Sequence, residues 1–128
     1  AYNDYIQGNF ELAVQGFLDF LANSKESELA DNAQYYIGDC YFNQGRHTDA
    51  VEAFNQVISL FPKGDKAPAA VLKSGLAHLS LTNNPAAVDA FKNVILKYPD
   101  SPEANIAIQQ LQILGVELPA SKPRKRQP

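Results

Sequence analysis

Chemistry in this chain of 128 residues would have to come from two histidines, one cysteine and fourteen acids. A catalytic nucleophile needs a base beside it and a third group that orients the base. His47 falls at a break between two helical stretches, and His78 falls on a helical stripe. No serine or cysteine is spaced to form a nucleophile with either, so His78 reads as a packing residue. Cys40 lies on an apolar stripe and reads as a buried small hydrophobe. A lone cysteine forms no internal disulfide, and no CxxC or Cys/His cluster suggests a metal. The acids are spread over solvent faces, without the cleft that paired catalytic carboxylates need. Gly45 and Gly64 are lone breakers, not a phosphate-binding loop. No catalytic residue, cofactor or metal is expected, and the chain reads as a binding module.

The elements that would carry such a module are those of one small domain. The composition, 45% hydrophobic and 20% charged, supplies enough apolar material for a core. No apolar run reaches the roughly 18 residues that suggest a membrane span. Residues 1–10 lack the basic start and apolar run of a signal peptide. The net charge is −3, but residues 1–118 hold all 14 acids against 7 Lys and Arg. An acidic body argues against a nucleic-acid partner, because phosphate wants a basic face. The remaining cations, Lys122, Arg124, Lys125 and Arg126, lie in a Pro-rich tail over 117–128 that is expected to be disordered. That tail reads either as solvated or as a weak electrostatic hold on anionic lipid or cell-wall polymer, so any membrane contact would be peripheral.

One shift of 37 residues aligns the chain on itself without gaps. Ala13 falls on Ala50 and Ala87, Phe17 on Phe54 and Phe91, and Gly8 on Gly45, with Thr82 in the third copy. Gly38 falls on Gly75, and Phe61-Pro62 on Tyr98-Pro99. Each copy reads as two helices. Ala33, Tyr36, Ile37, Cys40 and Tyr41 recur at three- and four-residue steps, as on one helix face. Gly45 breaks that helix, and Ala50, Phe54, Val57 and Phe61 mark a second one. In the third copy helices are predicted over 71–81 and 85–98, with Asn84 capping before Pro85. A last helix starts at Ser101-Pro102-Glu103 and stops near Gly115. Small Gly38 and Gly75 are expected to face Ala50 and Ala87 across each helix pair, with the phenylalanines plugging the gap beside them.

These residues resemble the tetratricopeptide repeat. The second copy gives Ile37-Gly38, Tyr41, Gly45, Ala50, Phe54, Val57 and Pro62 at the signature places. In the first copy Ala1 stands where Gly38 stands, and Lys25 replaces the closing proline. The resemblance implies an all-α fold, a right-handed α-solenoid of about three helix-turn-helix units. They fall near 1–27, 28–64 and 65–101, with a capping helix over 102–115, all within a domain 1–116. The period of 37 is longer than the family's usual one, and the additional residues lie between units. That link, with the runs Ala33-Gln34-Tyr35-Tyr36-Ile37-Gly38-Asp39-Cys40-Tyr41 and Lys97-Tyr98-Pro99-Asp100-Ser101, is similar to the Tol-Pal-associated cell-division coordinator family. This second resemblance implies a periplasmic protein that links the Tol-Pal system to peptidoglycan synthesis. Its implied partners are envelope proteins such as TolA or a peptidoglycan synthase, and an upstream coiled coil would make it a homo-oligomer. Alternatives are an outer-membrane assembly role of the BamD type, a general adaptor, or an accessory domain of a larger enzyme.

In this architecture the first helix of each unit lines a concave surface. Helical spacing turns Tyr2 and Tyr5 into it from the first unit, and Asn32, Tyr35, Asp39 and Phe42 from the second. The third unit contributes Ala69, Leu72, Leu76 and Leu79, with Lys73 beside them. So apolar a strip is expected either to bind a partner segment or to be covered by the C-terminal helix through Ile106 and Ile113. Some tetratricopeptide domains clamp a chaperone's C-terminal carboxylate with basic and amide side chains. The matching places here hold Tyr2, Tyr36, Ala69 and Lys73, so only Lys73 could serve.

Overall fold

Apolar residues at three- and four-residue spacing make each segment of this chain an amphipathic helix that must find a neighbour to cover it. The computed structural model of the chain describes residues 1–24 and 27–119. Its helices are α1 (Tyr2–Ile6), α2 (Phe10–Asn23), α3 (Ser27–Asn43), α4 (His47–Leu60), α5 (Ala67–Ser80), α6 (Asn84–Lys97) and α7 (Pro102–Ile113). Among the described residues there is no strand, and no helix is long and apolar enough to cross a membrane. Each helix packs on its neighbours in sequence, and α3 with α5 and α5 with α7 also meet. The result is an all-α solenoid of three helix pairs closed by α7. The second helices α2, α4 and α6 superpose in sequence under the 37-residue shift at both ends.

The turns inside the pairs show why. Gly8, Gly45 and Thr82 occupy equivalent places with φ of +83°, +76° and +59°. Glycine takes this left-handed conformation freely, whereas a β-branched residue there costs about 1–3 kcal/mol. In the last of these turns Asn83, one residue earlier than predicted, caps α6 by accepting from the Ala86 N–H at 3.4 Å. Ser101 caps α7 by accepting from the Ala104 N–H at 3.2 Å. Helix α5 begins at Ala67 rather than 71, because Pro68 suits a first turn.

The phenylalanines expected beside Gly38 and Gly75 are the side chains nearest to them. A Cβ on Gly38 would come within 2.6 Å of the Phe54 ring, and one on Gly75 within 2.7 Å of the Phe91 ring. The glycines are therefore the slots into which the phenylalanines fit, and both rings are fully buried. Neighbouring units are tied by a bond from the Tyr98 hydroxyl to the Pro62 carbonyl at 2.9 Å. Lys25 and the tail beyond residue 119 lie outside the described residues.

Candidate protein-binding site

The first helices α1, α3 and α5 stand side by side and meet through a polar chain. The Tyr5 hydroxyl donates to one oxygen of the Asp39 carboxylate, and the Lys73 ammonium donates to the other. Asp39 is 2% exposed. A carboxylate so buried keeps its charge only with hydrogen-bonded partners. The partners stand 34 residues apart in sequence, not 37. Side chains therefore meet across the face about one helical turn out of step with the repeat.

Electrostatics follow from this geometry. Burial pushes the Tyr5 hydroxyl pKa up, and the Asp39 hydrogen bond and charge push it further. Burial would lower that of the Lys73 ammonium, but its bond to Asp39, with Tyr35 beside it, leaves it above the ordinary lysine value. The Cys40 thiol is pushed up to about 11 by burial and then by the Asp39 charge. It stays protonated at neutral pH and makes a poor nucleophile.

Aromatic rings surround the chain. The Tyr36 ring centre lies 4.9 Å from Tyr5, 5.3 Å from Tyr2 and 5.7 Å from Phe17. The Lys66 ammonium sits 5.3 Å above the Tyr35 ring and 5.5 Å above Tyr36. Lys73 lies 5.5 Å above Tyr35. These are cation–π distances. Spacing by 37 placed Tyr36 on the core stripe and Lys66 in the link between units, so both were missed. A search at 34-residue spacing for Tyr5, Asp39 and Lys73 would have found the polar chain they flank.

The face predicted from sequence is partly open and partly closed. Tyr2 is 50% exposed, and Tyr5, Asn32, Phe42, Ala69, Lys73, Leu76 and Leu79 are half-buried. Tyr35, Asp39 and Leu72 are buried, which corrects their expected place in an open strip. Tyr35 packs with Phe54, Val57 and Ala70. Leu72 packs with Phe91, Ala104 and Leu111, and Leu76 and Leu79 rest on the same cluster. Helix α7 covers them through Ala104, Ala107 and Leu111. Ile106 and Ile113, expected to do so, are 42% and 76% exposed. Asn32 stands apart, in a cleft between α2 and α3.

The two central helix pairs decide what kind of face this is, since residues 32–64 and 69–101 each match the tetratricopeptide repeat. The chain belongs to the tetratricopeptide repeat family. The matched stretches make up about half its length, and no curated protein matches it. Tetratricopeptide repeats stack into extended concave binding surfaces, so the chain is a protein–protein interaction scaffold.

Away from the concave face of the tetratricopeptide stack, Ser74, His78 and Asp89 line one cavity of about 290 Å³ between α4, α5 and α6. Ser74 stands one helical turn before His78, which corrects the expectation that no serine is spaced near it. No hydrogen bond links its described side chains, and His78 Nδ1 is buried without a partner, so the geometry of an activated serine is not assembled.

At the joint between the matched repeats, the buried Asp31 carboxylate fills the space a Cβ on Gly64 would need. It also accepts from the Lys66 N–H at 3.5 Å. Burial raises its pKa; the Lys66 N–H partly offsets this, and the Asp65 charge adds to it. A raised folded value means that the stabilisation is full below the ordinary carboxylate pKa and is lost as pH rises through the folded one. Asp31→Asn, which keeps an acceptor and removes the charge, is therefore expected to melt above the parent at pH 7. The gap should close below about pH 4; thermal melts across that range check it.

Proposed function

We propose that this domain holds a segment of another protein along α1, α3 and α5, and does so in the bacterial periplasm, linking the Tol-Pal system to peptidoglycan synthesis in cell division. The observation that carries the binding role is the inner face itself. Its floor is fixed by the Tyr5–Asp39–Lys73 chain, while Tyr2, Phe42, Lys66 and Leu79 keep part of their surface open. Rigid aromatic edges beside a cation suit a segment with apolar anchors and an acidic or carbonyl group. The envelope role is supported by the 37-residue period and by the runs 33–41 and 97–101, which resemble the cell-division coordinator family. The partners it implies are TolA and a peptidoglycan synthase. No catalytic step is assigned to the chain.

The test is titration calorimetry of the domain against purified TolA and against the synthase. Tyr2→Ala combined with Phe42→Ala trims one exposed and one half-buried side chain and is expected to weaken binding at least about tenfold with the helical signal kept. Equal affinity of parent and variant refutes the groove. Binding to neither protein refutes the envelope assignment.

A further inference from the structure

The link between α4 and α5 borders a cavity of about 550 Å³ that Asp31 lines from α3 and Asp65 lines from the link itself. Glu28, one turn before Asp31 on α3, stands at the same cavity. Asp31 is 2% exposed, and its Oδ2 accepts from the Lys66 N–H. Its Oδ1 is buried without a partner. Asp65 lies within hydrogen-bond reach of Asp31 and adds a second negative charge. Among the described residues the ion pairs are Arg46–Asp49 and Lys73–Asp39, so no cationic side chain neutralises either acid. A buried carboxylate oxygen without a partner destabilises the fold and calls for an explanation. Stacking does not supply one. Under the 37-residue shift Asp31 becomes Pro68 and Asp65 becomes Pro102, so the link between α6 and α7 closes the next seam with neither acid.

The surroundings favour a cation there. Leu60 and Phe61 bring the C-terminal end of α4 to the cavity, where the last carbonyls lack helical partners and the helix dipole is negative. A Cβ on Gly64 would touch both the Asp31 carboxylate and the Phe61 carbonyl oxygen, so glycine at this place lets the two oxygens converge. Three acidic, histidine or cysteine side chains do not gather into a metal cage anywhere among the described residues. The available donors are two carboxylates, a main-chain carbonyl and water. We propose that this cavity is a weak site for a hard divalent cation, Ca²⁺, held by Asp31, Asp65, the Phe61 carbonyl and water. Ca²⁺ takes oxygen donors of this mixed kind, and its flexible coordination suits a loop. Once bound, it would neutralise two carboxylates that otherwise repel and fasten α3 to the link behind it. The inference is independent of what the concave face binds.

Titration calorimetry with calcium chloride and thermal melts, both on chelator-treated protein, test it. So few charged ligands make a weak site, with an expected Kd of about 0.1–1 mM. At about 5 mM Ca²⁺ the Tm should therefore rise by about 3–10 °C, and sodium chloride of equal ionic strength should not reproduce the rise. Asp31→Asn and Asp65→Asn should each lose the heat of binding and most of the rise. Glu52→Gln, at an exposed acid outside the cavity lining, should keep both. Asp31→Asn is expected to be at least as stable as the parent without Ca²⁺, so its silence would not reflect unfolding. Its advantage at pH 7 should shrink once Ca²⁺ is added. Absence of both heat and rise in the parent overturns the proposal. So does an equal rise in all three variants, or one that sodium chloride matches.

Discussion

Phe54→Ala is expected to cost about 3–5 kcal/mol of stability, the usual loss for a fully buried phenylalanine. The ring fills the Gly38 slot, lies 5.7 Å from the Tyr35 ring and touches no solvent. Removing it empties the slot and strips Tyr35 and Val57 of their common neighbour. Domains of this size have roughly 5–15 kcal/mol in total, so the variant should sit near the edge of folding at 37 °C. In a stack where each unit contacts only its neighbours, loss of the middle unit also uncouples the two ends. Urea unfolding followed by circular dichroism checks this. The midpoint should fall sharply and the transition broaden. Leu60→Ala, at a residue 60% exposed, should change the stability by no more than about 0.5 kcal/mol. A parent-like midpoint for Phe54→Ala would contradict the slot.

The second large effect belongs to Asp39. Its side chain is 3% exposed and that of its partner Lys73 is 31% exposed. Asp39→Ala removes the carboxylate to which both the Lys73 ammonium and the Tyr5 hydroxyl donate. Breaking a buried pair from one side costs about 3–5 kcal/mol, and the partial exposure of Lys73 places the expectation at about 2–4. Adding Lys73→Met to the Asp39→Ala variant should recover much of the loss, because removing both charges lifts the desolvation penalty. A double-mutant cycle by urea unfolding measures the coupling, and additive losses would refute it. The pair also sets a pH window. Lys73 and Tyr5 both have raised folded values. Their stabilisation is present below the ordinary lysine and tyrosine values and is lost as pH rises through the folded ones. The parent should lose stability steeply only above about pH 10, and the Asp39→Ala variant less so.

Much of the architecture was legible because one shift controls it. Ala13, Ala50 and Ala87, with the phenylalanines four residues on, fix the register of the second helices to within one residue, since small and aromatic side chains are needed at the same depth in every pair. The interior of the face was harder to read. A helical wheel for α3 turns Tyr35 and Asp39 away from α4, and spacing alone then leaves them open. It cannot show that the next first helix arrives about one turn out of register, bringing Lys73 onto Asp39 and Ala70 onto Tyr35. Leu72 was misread for a related reason. The capping helix approaches through alanines and Leu111, whereas Ile106 and Ile113 point to solvent. Thr82 looked like a lapse in the repeat, yet the backbone keeps the left-handed turn of Gly8 and Gly45, so tertiary packing overrides the residue's preference.

The bond from Tyr98 to Pro62 has a mechanical consequence. One repeat earlier the same position is Phe61, which has an equally broad ring but no hydroxyl to reach back with. The seam between the last two repeats is thus latched by a hydroxyl that Phe61 cannot supply to the seam before it. The two seams are therefore held at different places: the Tyr5–Asp39–Lys73 chain ties all three first helices on the inner face, and the Tyr98 hydroxyl adds a second fastening to the last seam alone.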